Sequence, residues 1–494
     1  PYRRQRQMCI RDSRKDKGIS SLHASAENIL SELLEVEQLL LNPLPDESAE
    51  LFVTPPRLPP AASGGVATQP AKEAVGNFRS FRHEIRGVSG HTTVSQNQIM
   101  ENNGVRIERS KRLDGIGEYY FSRRLREIAE IEAATGRRII KLAMGSPDLP
   151  PAPCVVETLC ETAHRPDVHR YMSYRGEPIL RRAFADWYRR WYRVELDPET
   201  EVLPLLGSKE GIMHVCMAFL DPGDRVLVPD PGYPTYSAAV RLAGGEIVPY
   251  PLDEENDFLP DFCALEQAAA GVKLMFVNYP NMPTGRTPTP ELFSRLVDFG
   301  RRQNILIVHD NPYSFVRNDS RPFSILEVEG AREVALELNS LSKGHSMAGW
   351  RVGVAVGRRE WLDAILTFKS NMDTGMFYPV QAAAAEALSL GEAWFDELNA
   401  IYREREKAGS KLLDTLGCTY RPHQAGLFIW ARLPDAFIGD CYDFSDMVLD
   451  RCDVFLTPGG IFGSQGLRYI RITLCYPAEV LEEAAQRIRE RLHR

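Results

Sequence analysis

Hydrophobic positions change their spacing along this chain. From about Lys141 onward, short runs of branched and aromatic residues alternate with stretches whose apolar positions recur every three to four residues. The strand-like runs are Val202 to Leu206, Arg225 to Val228, Glu246 to Pro249, Leu274 to Asn278, Ile305 to His309 and Val334 to Leu338. Such alternation predicts an α/β fold with a mostly parallel, doubly wound sheet. In a sheet of that kind, ligands bind beyond the carboxyl ends of the strands. Before Lys141, helix formers from Tyr119 to Ala134 predict a further helix. Residues 22–41 predict a short amphipathic helix through Ile29, Leu30, Leu33, Leu34, Val36 and Leu40, and the Pro/Ala/Gly-rich stretch from Pro43 to about Ala74 predicts no core. Residues 1–13 follow neither period and resemble translated adapter sequence, so they carry no fold expectation. Met100 is the expected start of the catalytic polypeptide.

Composition narrows the class. A chain of 494 residues, 44% hydrophobic and 9% aromatic, has material for two or three domains with substantial cores. A net charge of -8 argues against nucleic acid or an anionic membrane as the main partner and leaves small molecules. Nine cysteines without a C-x-x-C pair fit reduced thiols in the cytoplasm, with no disulfide expected. No apolar run approaches the roughly 20 residues needed to cross a bilayer, which predicts a soluble protein. No His/Cys/Asp cluster has zinc-ligand spacing, so no metal is expected.

The unusual residues fall where the strands end. Ser340-Leu-Ser342-Lys343 follows the run Val334 to Leu338, and Arg351 comes eight residues after the lysine. A lysine amine serves covalent catalysis when burial and neighbours lower its pKa, and hydroxyls with a guanidinium suit the phosphate of an aldehyde cofactor. Gly207-Ser208-Lys209 opens a predicted helix whose free N–H groups suit a phosphate; a plain helix cap is the alternative. Tyr233, in Asp230-Pro-Gly-Tyr-Pro, is either a turn residue or a ring that stacks on a flat heterocycle. Asp310, just past a buried hydrophobic run, is either a helix cap or the partner of a protonated ring nitrogen. His309 and His345 are expected to be structural or rim residues.

With Asp310-x-x-Tyr313 and Lys343 followed by Arg351, the chain from about Glu118 onward resembles the class I/II pyridoxal-phosphate aminotransferases of fold type I, in their LL-diaminopimelate and aromatic bacterial branch. The resemblance implies that Lys343 carries pyridoxal 5′-phosphate, Asp310 pairs with the pyridine nitrogen, Tyr313 bonds the ring hydroxyl and Tyr233 stacks on the ring. Ser208, Lys209, Ser340 and Arg351 hold the phosphate, joined by Tyr171 from a neighbouring subunit. Arg471 forks onto the substrate α-carboxylate, Gly145 lies in the segment closing over the substrate, and Asn371 belongs to a stretch that reaches a neighbour's site. The implied activity is transfer of an amino group between an L-amino acid and a 2-oxo acid, with 2-oxoglutarate and glutamate as one pair, in a homodimer serving amino-acid biosynthesis. The implied organisation is a non-native or disordered extension over residues 1–99, a segment over 100–165 shared between a small α+β domain and an active-site flap, a large cofactor domain over 166–370, and a C-terminal small domain over 371–494.

One position departs from the family pattern. Before Pro283-Thr284-Gly285 an asparagine is usual, and here Met282 stands there, unable to donate to the ring hydroxyl. Tyr313 alone, Asn281 or Asn278 would supply the contact. The rival readings are a fold-type I lyase or decarboxylase using the same cofactor residues, and a regulator with an aminotransferase-like sensor domain. The regulator lacks support, because residues 14–99 show no basic recognition helix.

Overall fold

The computed structural model describes residues 107–492. The expected helix at 22–41, the extension to residue 99 and Met100 lie outside them.

The chain forms β1 (Ile140–Leu142), β2 (Val202–Leu205), β3 (Arg225–Asp230), β4 (Glu246–Pro251), β5 (Val272–Val277), β6 (Leu306–Asp310), β7 (Ala335–Ser340), β8 (Gly353–Val356), β9 (Thr419–Tyr420), β10 (Phe428–Arg432), β11 (Val454–Pro458) and β12 (Tyr469–Thr473). Seven of them build one sheet in the order β2-β8-β7-β6-β5-β3-β4. All pairings in it are parallel except those of β8, which runs against β2 and β7. The six expected strand-like runs are β2 to β7, within a few residues at each end. β8 had not been expected, because Gly353 to Val356 is short and directly follows the polar motif that ends at Arg351.

Alternation along each strand sends side chains to opposite faces. Leu274 and Phe276 of β5, Val308 of β6 and Leu336 and Leu338 of β7 pack with Ile212, Val215, Tyr236, Leu362 and Ile365. Met275, Val277, Ile307 and Ala335 pack on the other face with Leu180, Phe184, Tyr188, Leu292 and Phe293. Both faces of the sheet are therefore covered by helices, as a parallel sheet requires.

Local chemistry sets the helix boundaries. The helices Pro178–Tyr192, Pro234–Leu242 and Pro290–Gln303 each begin on proline, whose fixed φ and missing N–H suit the first helical position. The third is capped by Thr289, which accepts from Leu292 N, and stops at Asn304 in the left-handed region. It buries Leu292, Phe293, Leu296, Val297 and Phe299, each side chain contributing about 1.5–3 kcal/mol.

A second sheet has the order β1-β11-β12-β10-β9. β1 pairs parallel with β11, Ile140 opposite Val454, so the segment before the large sheet and the segment after it share one sheet. The helices Glu392–Thr415, Cys441–Cys452 and Ala478–Leu492 accompany it. No described helix is long and apolar enough to cross a membrane.

Candidate active site

A cavity of about 450 Å³ opens where β2, β6 and β7 end. It is lined by Gly145, Ser208, Lys209, Tyr233, Asp310, Tyr313, Ser340, Lys343, Arg351 and Arg471, ten of the twelve expected site residues. Tyr171 and Asn371 are elsewhere. Tyr171 is 86% exposed, and the exposed Asn371 donates from Nδ2 to Thr367 O at 2.8 Å. Their two segments adjoin: Lys369 Nζ donates to Tyr174 O at 3.1 Å, and a Cβ on Gly375 would lie 2.9 Å from Ser173 O.

Lys343 follows β7 and reaches across to donate to Gly145 O at 2.7 Å. Burial lowers its pKa to about 8, assisted by the Arg471 and Arg351 charges and opposed by the Cys475 thiol. The amine is thus poised between a cation and a free base near neutral pH.

Asp310 ends β6. Its Oδ2 accepts from Tyr236 OH at 2.7 Å, while Oδ1 is buried without a partner. Burial pushes this carboxyl up to about 6, against the pull of Tyr236 and the His309 charge. A buried carboxylate with one bare oxygen is a stable arrangement only when a donor fills the place, and a protonated ring nitrogen is such a donor.

Arg351 adopts a left-handed φ of 57°. Its Nη2 passes so close to Gly207 that a Cβ there would lie 2.2 Å away, and Gly207 itself has a φ of +93°. Only glycine admits the guanidinium at that point. Ser208 is the first residue of the helix Ser208–Phe219, and Ser340 Oγ lies 2.9 Å from Ser342 Oγ. Helix-terminal N–H groups, hydroxyls, Arg351 and Lys209 together fit a phosphate. With the lysine and the bare Asp310 oxygen, these residues fit pyridoxal 5′-phosphate.

Arg471 comes from β12 in the second sheet and is 4% exposed. Its Nη2 donates to Ala143 O at 2.9 Å, its Nη1 to Met282 Sδ at 3.3 Å, and its Nε has no partner. Rings surround it: the centroids of Phe428, Phe462 and Phe121 lie 3.7, 4.7 and 5.6 Å away. No carboxylate pairs with it among the described residues, and burial lowers its pKa to about 10. A guanidinium kept charged by π faces and weak acceptors is free to fork onto an incoming carboxylate.

Both asparagines near Met282 make hydrogen bonds within the turn. Asn278 donates to Asp310 O at 2.7 Å and accepts from Met282 N at 2.7 Å; Asn281 donates to Asn278 O and accepts from Thr284. Both amides hold the turn, and Asn278 and Tyr313 line the cavity while Asn281 does not. Sequence reasoning missed Tyr236 and the phenylalanine cage. Tyr236, three residues after Tyr233 on one helix face, was detectable; the phenylalanines come from distant elements and carry no spacing.

Away from the cavity, Glu210, His214 and Asp373 bring ligand atoms within 4.8 Å of one another. The Lys369 ammonium lies 2.8 Å from Asp373 Oδ1, so a cation already stands beside them. The spacing of Glu210 and His214 is not a zinc signature, and the grouping carried no signal in the sequence.

Residues 137–488 match the model of the family described as aminotransferase class I and II. The chain is 41% identical to an LL-diaminopimelate aminotransferase of Dehalococcoides mccartyi over 77% of its own length and 97% of the relative's. It is 44% identical to that of Oleidesulfovibrio alaskensis over 76% and 97%. Among solved structures, substrate-bound BacF from Bacillus subtilis superposes with a TM-score of 0.74 at 37% identity, covering 78% of this chain and 98% of that one. A Thermus thermophilus aspartate aminotransferase mutant does so with 0.72 at 26%, covering 78% and 99%. The lysine, the lone carboxylate and the caged arginine therefore stand in a chain that belongs to the class I and II aminotransferases, whose cofactor is pyridoxal 5′-phosphate.

Proposed function

We propose that this aminotransferase acts on LL-diaminopimelate, with 2-oxoglutarate and glutamate as the other pair, in amino-acid biosynthesis. The observation that carries the substrate is the 41–44% identity to relatives of that name over 97% of their length. When bound, the cofactor supplies the electron sink for negative charge at the substrate Cα. Lys343, neutral above about pH 8, would take the Cα proton and return it two atoms further along, to the carbon beyond the amino nitrogen. Asp310 keeps the ring nitrogen protonated through its bare Oδ1. Arg471 grips the α-carboxylate and fixes which face of Cα the lysine meets. Tyr313 and Tyr233 hold the ring, and Ser208, Lys209, Ser340 and Arg351 hold the phosphate. Residues 166–370 form the cofactor domain and 371–494 the small domain, with Gly145 in the closing segment.

The working unit is a cytoplasmic homodimer. Tyr171, Tyr174, Met372 and Phe377 are exposed on the two adjoining segments, which supports a partner there, and the described cysteines are all free. Mixing Lys343→Ala and Tyr171→Phe chains should restore activity toward one intact site per heterodimer. No recovery after verified subunit exchange would place Tyr171 within its own site.

The substrate is tested by steady-state assays of the purified chain with LL-diaminopimelate, tyrosine, aspartate and leucine against 2-oxoglutarate. The expected kcat/KM for LL-diaminopimelate exceeds the others by about tenfold or more, a difference of about 1.4 kcal/mol in transition-state binding. A faster aromatic or dicarboxylic donor would overturn the substrate while leaving the reaction class intact.

A further inference from the structure

Behind Asp310, on the opposite face of the sheet, lies a second group of buried charges. His309 and Glu337 face each other in register across β6 and β7, and both are 0% exposed. His309 Nδ1 lies 2.9 Å from Glu337 Oε2 and its Nε2 lies 2.8 Å from Tyr279 O. A backbone carbonyl only accepts, so Nε2 carries a proton.

The other nitrogen depends on Glu337. Its Oε1 accepts from Tyr188 OH at 2.7 Å and Asn311 Nδ2 at 3.2 Å. Its Oε2 accepts from Ser324 Oγ at 2.6 Å and Ile325 N at 3.2 Å, besides facing His309. The Ser324 hydroxyl already accepts from Leu326 N, and the Tyr188 hydroxyl from Asn339 Nδ2, which leaves each of them donating to the carboxylate. Two donors on each oxygen stabilise the charged form of the acid, which favours an ionised Glu337. Its pKa is lowered in spite of the burial that opposes ionisation, with the His309 charge as the leading favourable cause. An ionised carboxylate that faces the second ring nitrogen obliges that nitrogen to donate as well. No lysine or arginine pairs with Glu337 among the described residues, and a buried carboxylate without a cation is unstable.

We propose that His309 is a buried imidazolium, protonated on both nitrogens and held by Glu337, and that it is a positioning residue which keeps Asp310 ionised for the cofactor. The proposal rests on the reading of Asp310 given above. The other groups around the ring are the Phe293 ring at 4.8 Å, the Tyr188 hydroxyl on Glu337 and the Tyr279 carbonyl; the Tyr279 hydroxyl is turned away to Phe258 O. Asp310 follows on the same strand with its side chain on the other face. There the imidazolium lowers the carboxyl pKa and Glu337 raises it. Without the charge on His309, Asp310 would meet Glu337 alone and take up a proton more readily, and a protonated Asp310 no longer pairs with a protonated ring nitrogen.

The test is proton NMR of holoenzyme labelled with ¹⁵N-histidine, at pH 8, with the His309 signals assigned by His309→Gln. N–H correlations from both ring nitrogens are expected, in the holoenzyme and after cofactor removal; a single N–H would overturn the proposal. A second readout is the affinity for pyridoxal phosphate followed by absorbance. Measured near pH 5, below the value of about 6 for Asp310, His309→Gln should weaken it by up to about tenfold, one pKa unit carried over to Asp310, and Glu337→Gln in the same chain should restore part of the loss by removing the opposing charge. Asp310→Asn separates the two readings. If it weakens binding while His309→Gln leaves binding unchanged, the inference about His309 fails and the role of Asp310 stands. If Asp310→Asn itself leaves binding and spectrum unchanged, the reading of Asp310 fails and takes the inference with it. Should His309→Gln fail to fold, the count of N–H signals in the wild-type spectrum, assigned through Glu337→Gln, decides alone.

Discussion

Asp310 and Glu337 are buried carboxylates one strand apart, and the protein treats them in opposite ways. Glu337 has donors on both oxygens and an imidazole beside it, and its pKa is lowered. Asp310 has one hydroxyl and one bare oxygen, and its pKa rises to about 6. A carboxylate surrounded by the chain's own donors belongs to the architecture. A carboxylate left short of donors is reserved for a molecule that brings one, and the cavity on that side of the sheet is where such a molecule fits.

The largest effect should fall on the open side. Lys343→Ala removes the amine proposed to move the Cα proton, so kcat should fall by about 10⁴-fold, and borohydride should no longer fix cofactor to the chain. Persistent labelling would show that another lysine carries the cofactor. On the closed side, Glu337→Gln leaves the imidazole facing a neutral amide that can also donate. Unfolding in urea should then show a loss of about 3–5 kcal/mol; a loss below about 1 kcal/mol would mean that the network is not charged.

Asp310→Asn should lower kcat by about 10²- to 10³-fold and yet stabilise the cofactor-free protein. The sign follows from the raised pKa. In the folded chain Asp310 favours the protonated acid, so its contribution to stability is present below pH 3.8 and lost as pH rises through about 6. At pH 8 the asparagine variant should melt higher than wild type, by roughly 3 kcal/mol at most, and at pH 4 the difference should nearly vanish. A lower melting temperature at pH 8 would break the comparison. The smallest effect is expected at Met282→Leu, which removes a weak thioether acceptor from Arg471 at nearly constant volume. KM for the amino donor should change by less than about threefold and stability by less than about 1.5 kcal/mol; a tenfold rise in KM would make the sulfur an essential support of the guanidinium.

The parts of this molecule legible in the sequence are those with a local signature. The large sheet could be read because six hydrophobic runs lie between helical stretches, with Asp310 at the end of its strand, Ser208 and Lys343 three residues after theirs, and Arg351 in the same motif as Lys343. Arg471 could be read only through family resemblance, because nothing near it in the chain distinguishes it from any strand arginine. Its cage could not be read at all: Phe121, Phe428 and Phe462 precede it by 350, 43 and nine residues, and only tertiary approach makes them neighbours. The surroundings of His309 could not be read for a related reason: its cross-strand partner Glu337 comes from a different segment of the chain.

The segment from Ala143 to Asp148 touches both working cations. Ala143 O receives Arg471 and Gly145 O receives Lys343, while Asp148 is gripped by Arg405 at 2.7 and 2.8 Å. One short piece of backbone thereby reads the state of two side chains supplied by different sheets. On the roles proposed above, a substrate carboxylate would compete with Ala143 O for the guanidinium and the cofactor with Gly145 O for the amine, so both binding events would release hydrogen bonds from the same ribbon.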